Sequence, residues 1–213
     1  MKKNPRAGFT LVELSIVLVI IGLIIAGVLT GRQILKNAQI TNTLNAIQSY
    51  QAQFQTYVQN YGAMPGDDAN ATSRFSGAAN VANGDGSGTL DGAFDAVKSP
   101  ASVETQYAWI DLRAAGLVKN QTSGIQPPNN FGGIYGFQNG SFGITTNVIC
   151  LTNVPGDVAL AIDSRLDDGD SANGSIQAIA ESWASGTASK ATPGATPEKA
   201  YVVNKTYTLC VGM

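Results

Sequence analysis

The most distinctive feature of the hydrophobic pattern is an apolar run near the start of the chain. It covers residues 9–29, which are 21 positions with Glu13 as the only charged side chain. About 20 apolar residues in a helix cross the hydrocarbon core of a bilayer. The run follows Lys2, Lys3 and Arg6, and positive charge keeps that end in the cytoplasm. The pattern therefore predicts a membrane-spanning helix followed by a translocated chain.

Apolar residues continue at helical spacing beyond residue 31, and Gly62 supplies a stop signal. One helix from Phe9 to Tyr61 would contain 53 residues and reach about 80 Å. We expect a membrane-spanning part over 9–31 and an amphipathic stem over 32–61. The stem's polar positions are mostly Gln and Asn, which indicates either crowded contacts with other proteins or an ordinary polar surface.

From residue 62 the composition changes to Gly, Ala, Asn, Asp and Ser, which predicts a separate globular head over 62–213. Ser99 and Pro100 are typical of a helix start, with Gly116 as its stop. Asp157 would cap a second helix that ends at Leu166. Strands are predicted at 133–137, 142–151 and 201–211, and an exposed loop at 184–197. The expected fold is α+β, with a long N-terminal helix packed on a head that contains an antiparallel sheet.

Composition limits the chemistry that the chain can perform. It has no His, which excludes Ser-His-Asp and Cys-His catalysis and His-ligated metals. Charged residues make up 13%, and the net charge is −2. No basic cluster follows the first six residues, so the sequence offers no electrostatic surface for nucleic acid.

The residues around the start of the apolar run form a specific motif. Gly8-Phe9-Thr10-Leu11-Val12-Glu13, after a short basic leader and before an apolar helix, resembles the class III leader of type IV pilins and pseudopilins. A secretory signal peptide has a shorter apolar region and a small-residue cleavage site. A plain signal anchor leaves Glu13 unexplained, because a carboxylate within a span costs about 2.5–3.5 kcal/mol.

The resemblance implies how the chain is processed and assembled. A prepilin peptidase would cut between Gly8 and Phe9 and methylate the new Phe9 amine. Glu13 would then meet the Phe9 amine of a neighbouring subunit, although pairing within one chain remains an alternative. Further implied partners are other copies of the chain, an inner-membrane assembly platform and a motor ATPase. Many pilins carry a Pro where this chain has Thr30, and this difference leaves open whether the stem melts near Gly22 on assembly.

The leading functional hypothesis is a structural subunit of a surface filament, and not an enzyme. It would be anchored in the bacterial inner membrane by one span, with the head outside the cytoplasm, before assembly. One alternative is a pseudopilin of a type II secretion system, which would act in the periplasm. A second alternative is a membrane-anchored binding or enzymatic domain that uses a pair of carboxylates, either Asp67 and Asp68 or Asp167 and Asp168.

The two cysteines, Cys150 and Cys210, both fall in predicted strands of the translocated part. An even number of cysteines in an oxidising compartment favours a disulfide, and two buried thiols are the alternative. A cysteine pair that frames the C-terminal region also matches the pilin D-region.

One head segment has the spacing of a calcium-binding loop. Oxygen ligands alternate along it and a Gly occupies the sixth place, so Ca²⁺ is the cofactor that this loop would take. Phe94 stands at the twelfth place, where such loops need a bidentate Glu, and a solvated turn is the alternative. Asp167-Asp168-Gly169-Asp170 has a similar composition. The candidate ligands are Asn83, Asp85, Ser87, Thr89 and Asp91.

Overall fold

A computed structural model describes residues 8–96, 103–119 and 126–213 of the chain. These residues divide into two compact units, the first ending at Thr41 and the second running from Asn42 to Met213. The predicted helix start at Ser99 and Pro100 lies outside the described residues. The order of elements is helix, short helix, helix, two strands, helix and two strands. This is the α+β class that the sequence predicts.

The first helix, α1, spans Leu11–Tyr61 and contains 51 residues. Gly62 ends it: its φ of +68° is left-handed, and its N–H donates to the Val58 carbonyl at 2.9 Å. This is a common way to close the last turn of a helix. The predicted long helix and its stop are confirmed.

Within the second unit, α1 presents one buried stripe to the head. Thr43, Ile47, Phe54 and Tyr57 are buried, and their spacing of three, four and seven residues keeps them on one face. Tyr50, on the same stripe, is the centre of an aromatic contact with Trp109 and with Tyr135. Aromatic pairs in edge-to-face geometry add about 0.5–1.5 kcal/mol beyond the area that they bury.

Two further helices of the head lie in the predicted regions, and the first of them begins later than predicted, at Glu104 after the extended Val103. Helix α3 spans Glu104–Ala114, and α4 spans Gly156–Leu166. Helix α4 begins directly after Pro155, so Asp157 lies in its first turn and is not its cap. A single helical turn, α2 at Ala71–Arg74, was not expected from the sequence.

The head contains four strands: β1 (Tyr135–Ser141), β2 (Ile144–Pro155), β3 (Ile176–Ala180) and β4 (Thr206–Gly212). They form an antiparallel sheet in the order β1-β2-β4-β3. Three of the strands were predicted, and β3 was not. Its sequence, IQAIA, is too short for the hydrophobic pattern to distinguish a strand from a helix.

The two faces of the sheet are covered by different parts of the head. On one face Phe137 packs against Phe54 of α1 and stacks on Trp109 of α3 at 4.4 Å. The other face carries Cys150 and Cys210 under Phe94 and Ala191. Gly136 lies on this second face, and a Cβ there would collide with the Phe94 carbonyl. A side chain at that position would therefore push the covering loop away.

Most of the segment at 184–197 is irregular and exposed, as the sequence predicts. Ser189 and Ala191 are the exceptions, because both are buried. The Ser189 N–H donates to Asp95 Oδ2 at 2.6 Å, and the Phe142 N–H donates to the Thr192 carbonyl at 2.9 Å. Ser, Thr, Ala and Gly are typical of loops, but here their backbone hydrogen bonds are made to the sheet and to a carboxylate. The segment therefore covers the disulfide face.

The disulfide Cys150–Cys210 joins strands β2 and β4 at directly paired positions. The predicted pairing is confirmed. Both cysteines are buried, and the bond closes a loop with a sequence separation of 60. That loop contains α4 and β3. The bond itself connects β2 and β4, which are the two central strands of the sheet.

We expect Cys210→Ser to lower the free energy of unfolding of the head by about 2–5 kcal/mol, because the unfolded chain regains the freedom that the closed loop removes. Urea unfolding of the full chain in detergent, followed by tryptophan fluorescence, measures the change. The double variant Cys150→Ser with Cys210→Ser is the matched control, and it should be destabilised by a similar amount. Unchanged stability in both variants would contradict a structural role for the bond.

Candidate assembly site

The N-terminus of α1 is held by reciprocal hydrogen bonds between Thr10 and Glu13. The Thr10 N–H and its hydroxyl each donate to Glu13 Oε2 at 2.8 Å. The Glu13 N–H donates back to Thr10 Oγ1 at 3.2 Å. This is a capping box, in which the residue before the helix and its third residue satisfy each other.

The capping box gives Glu13 a local role that the sequence analysis missed. The signal is present in the sequence, since Thr10-Leu11-Val12-Glu13 has the S/T-x-x-E spacing in front of an apolar run. Both donors to the carboxylate come from Thr10 in the uncleaved chain. Phe9 precedes the helix, and its side chain is 91% exposed.

The first unit exposes an apolar helix surface that nothing in the described chain covers. Helix α1 contains a stretch near its N-terminus that is long and apolar enough to cross a membrane, and none of the most apolar stretch of the helix is buried. The hydroxyls within it are satisfied locally, since Ser15 donates to the Val12 carbonyl at 2.8 Å and Thr30 to the Ala26 carbonyl at 3.0 Å. Such internal hydrogen bonds lower the cost of a hydroxyl in lipid.

Small residues open part of this surface to close approach. A Cβ added at Gly22, Gly27 or Gly31 would meet no atom within 4 Å. Gly27 and Gly31 have the spacing that allows two helices to pack backbone against backbone. The first unit therefore combines a span-length apolar surface, a place for close helix packing and one carboxylate near its start.

The comparisons with known proteins concern this same segment. The family model described as the prokaryotic N-terminal methylation motif matches residues 3–29. The chain therefore carries a class III prepilin-type leader, and the motif supports a type IV pilin-like or pseudopilin protein. No curated protein and no solved structure matches the chain. The apolar helix, the methylation motif and the disulfide fit this class together.

The first pair of predicted carboxylates, Asp67 and Asp68, is held by contacts within the head. Asp67 accepts the N–H groups of Ser87 at 2.9 Å and Gly88 at 2.8 Å. Asp68 accepts the Tyr57 hydroxyl at 3.0 Å and forms an ion pair with Arg74 at 2.8 Å. Both are buried, and these contacts give them a structural role in the head.

The second pair of predicted carboxylates fixes the start of β3. Asp167 Oδ2 accepts the N–H groups of Ser175 at 2.5 Å and Ile176 at 2.9 Å. Asp168 accepts the Asp170 N–H at 2.8 Å. Asp163, buried beside them, accepts the Tyr201 hydroxyl at 2.7 Å, and its burial raises its pKa. These contacts tie α4 to the sheet and to the segment at 201.

The candidate ligands of the predicted calcium loop contact several different residues. Asn83 Oδ1 accepts the Thr72 N–H and hydroxyl, both at 2.9 Å. Ser87 and Thr89 share a hydrogen bond of 3.0 Å between their hydroxyls. Asp85 lies with Asp67 and Glu104, and oxygen atoms of these three lie within 4.8 Å of one another.

The group of Asp67, Asp85 and Glu104 has the hard oxygen atoms that suit Ca²⁺. Glu104 already accepts the N–H groups of Asp85 and Asp91, each at 2.9 Å. A hydrogen bond from Ser87 lowers the pKa of Asp85, whereas burial raises that of Glu104. Calcium at this loop stays a prediction. The predicted loop has no acidic residue at its twelfth place. Glu104, which belongs to α3, is the acidic side chain that lies beside Asp85.

Asp111 is the most deeply buried acid beside the end of the stem. It is 0% exposed, and its Oδ2 accepts the Gly66 N–H at 2.8 Å. Its Oδ1 has no hydrogen-bond partner among the described residues. Tyr57 and Asp68 are the titratable groups that face it. Burial raises the pKa of Asp111 to about 7, and the nearby Asp68 adds to the effect.

The raised pKa of Asp111 predicts a pH dependence of head stability. The folded state binds a proton more tightly than the unfolded state, whose Asp pKa is about 3.9, so stability falls as pH rises from about 4 to about 7. We expect Asp111→Asn to remove this fall, because the amide can accept the Gly66 N–H and carries no charge. At pH 8 the variant should be more stable than the parent chain.

Urea unfolding of the full chain in detergent at pH 5 and pH 8 measures this effect. Each unit of pKa shift corresponds to about 1.4 kcal/mol, so the parent chain should lose a few kcal/mol over this interval through Asp111. Asp91→Asn, which neutralises an exposed carboxyl, is the control and should keep the parent's pH dependence. The same pH dependence in Asp111→Asn and in the parent would refute the assignment.

Proposed function

We propose that this protein is a type IV pilin-like structural subunit that polymerises through α1 into a surface filament. The observation that carries the proposal is the prepilin-type leader directly before an exposed apolar helix with one carboxylate in its first turn. A prepilin peptidase would cut between Gly8 and Phe9 and methylate the new amine. The reaction removes Lys2, Lys3 and Arg6, so 10 basic and 15 acidic side chains remain and the net charge changes from −2 to −5.

Cleavage would create a cation that could pair with Glu13. Before cleavage the Phe9 nitrogen is a neutral peptide N–H, and the Glu13 carboxylate is satisfied by two donors from Thr10. After cleavage the same nitrogen is a charged amine. An opposite charge offsets much of the cost of a carboxylate in a medium of low dielectric constant. In the proposed filament, the Phe9 amine of one subunit pairs with Glu13 of the next.

The surroundings of α1 would change on assembly. Before assembly the apolar helix lies in the inner membrane, with the basic leader on the cytoplasmic side and the head outside the cytoplasm. In the filament, the helices of neighbouring subunits replace the lipid around the exposed apolar surface. Close approach at Gly27 and Gly31 suits such packing. The assembly platform and a motor ATPase would supply the work of extraction from the membrane.

A pseudopilin of a type II secretion system is the second candidate. Its N-terminal chemistry would be the same, so the leader does not distinguish the two. The disulfide-framed region from Cys150 to Cys210 and the size of the head favour the pilin. Deletion of the gene in its host separates them: loss of surface filaments by electron microscopy supports a pilin, whereas loss of protein secretion with intact filaments supports a pseudopilin.

Gly8→Val should block processing. A peptidase must bring backbone and catalytic groups to the bond after Gly8, and a branched side chain takes up that space. We expect a full-length precursor in the inner membrane, detected by mass spectrometry of the N-terminus. Gly8→Ala adds a single carbon and is the graded control, with more processing than Gly8→Val. A normal mature N-terminus at Phe9 in Gly8→Val would show that the steric argument is wrong.

Glu13→Val should separate assembly from anchoring. The variant keeps the helix apolar and leaves the cut bond intact, so it should insert and be cleaved. It should enter filaments poorly, because the amine of the neighbouring subunit loses its partner. The measurement is the ratio of filamentous to membrane-bound protein in cells without the parent chain, with processing followed in parallel.

Ser15→Val is the matched control for this experiment. It makes a similar polar-to-apolar change one half-turn further on, and it removes only the hydrogen bond to the Val12 carbonyl. Filaments should form at the parent level in this variant. If processed Glu13→Val also forms filaments at the parent level, the carboxylate has no part in assembly and the anchor hypothesis is favoured.

A further inference from the structure

An open cleft lies on the head between α1, the loop at Gly88 and the adjoining ends of β1 and β2. Its volume is about 420 Å³, and all of its lining residues belong to the second unit. This volume is within the usual range of about 300–1,000 Å³ for small-molecule sites. The polar side chains that line it are those of Gln55, Thr89, Asn139, Thr145, Thr146 and Asn147.

Several side chains around the cleft are not committed to hydrogen bonds within the described part of the head. Those of Gln55, Asn139, Thr145 and Thr146 make no hydrogen bond to any residue that the structure describes. An amide offers two N–H donors and an acceptor, and a hydroxyl offers both functions. Four neighbouring side chains therefore present donors and acceptors to the same space.

Similar side chains elsewhere in the head are used to hold the backbone. Asn129 Oδ1 accepts the N–H groups of Phe131 and Gly133, each at 2.9 Å. Asn153 Oδ1 accepts the Trp183 N–H at 2.8 Å, and its amide donates to the Trp183 carbonyl at 2.9 Å. The polar residues of the cleft differ from these, because the fold does not require their hydrogen bonds.

The backbone gives the cleft a defined shape. Asn139 and Asn147 are directly paired across β1 and β2. The register shifts between Asn139 and Ser141, where Gly140 has a left-handed φ of +69°. A bulge of this kind redirects neighbouring side chains at the end of a sheet. The polar groups therefore lie on paired strands and a helix.

The cleft's chemistry restricts the ligand. None of the lining side chains is charged, so the side chains offer an ionic ligand no counter-charge; Met213 completes the lining. Phe54 is the aromatic residue in the lining, but it is only 2% exposed and offers little surface for stacking. A ligand for this cleft must be neutral and must use hydrogen bonds in several directions.

We propose that this cleft binds a neutral saccharide. Sugar hydroxyls donate and accept hydrogen bonds in many directions, and the amides and hydroxyls of the lining offer both functions in return. The volume accommodates one or two sugar rings. A peptide would need apolar pockets for its side chains, and Phe54 and Met213 are the two apolar side chains of this lining. The proposal does not depend on whether the chain polymerises.

The test uses the full chain in zwitterionic detergent micelles, since detergents with sugar head groups would compete. The probes are the methyl glycosides of glucose, galactose, mannose and N-acetylglucosamine. N-acetylneuraminic acid and a neutral blocked tetrapeptide are the comparison ligands. Saturation-transfer difference NMR at about 10 mM ligand detects complexes with a Kd near 1 mM. We expect saturation of at least one neutral glycoside and of neither comparison ligand.

Thr145→Arg should abolish the signal, because a long charged side chain at this exposed position fills the cleft. Thr196→Arg makes the same change at another exposed position, outside the cleft lining, and should keep the signal. Asn139→Ala removes one amide without adding bulk and should weaken binding, which keeps the test valid if the larger change perturbs the fold. The proposal is overturned if no neutral glycoside binds, if binding survives Thr145→Arg, or if only the tetrapeptide or the charged sugar binds.

Discussion

The central constraint on this protein is that one uninterrupted helix must suit two different environments. From Leu11 to Leu29, α1 has a largely apolar surface that is exposed on every side. The part in the second unit has one buried stripe from Thr43 to Tyr57, and polar residues cover the rest. Helix geometry tolerates both patterns, because every backbone hydrogen bond is made within the helix. Only the side chains decide where each half is stable.

The head is organised around the buried stripe of α1 and around carboxylates that bind loop backbones. Asp67, Asp95, Asp167 and Glu181 each accept hydrogen bonds from a segment distant in sequence. A carboxylate that accepts backbone N–H groups forms stronger hydrogen bonds than a neutral acceptor. This use of acids explains how a head rich in Gly, Asn and Ser keeps long irregular segments in place. It also explains why pairs of adjacent Asp residues are not by themselves a sign of catalysis or metal binding.

Local signals made a large part of this fold predictable. The stop of α1 at Gly62, the course of α3 and α4 and the strands around both cysteines follow from periodicity and turn residues. The missed features depend on contacts between distant residues. Strand β3 needs Asp167 to hold its first N–H groups, and the burial of Ala191 needs the hydrogen bonds of Phe142 and Ser189. Of the candidate site, the motif from Gly8 to Glu13 was readable, whereas the role of Glu104 beside Asp85 required the fold.

The capping box adds a physical step to the assembly hypothesis. Glu13 stabilises the helix start through Thr10, so the carboxylate is not an unpaired charge before assembly. An incoming amine must therefore compete with two neutral donors or join them. A carboxylate has about four lone-pair sites, and Thr10 donates two hydrogen bonds to a single oxygen, Oε2. Oε1 is left for a charged donor, so Glu13 can keep its capping role and pair with a second subunit at the same time. In the proposed filament the helix start then need not unwind, and the gain in electrostatic energy would not be offset by the loss of a cap.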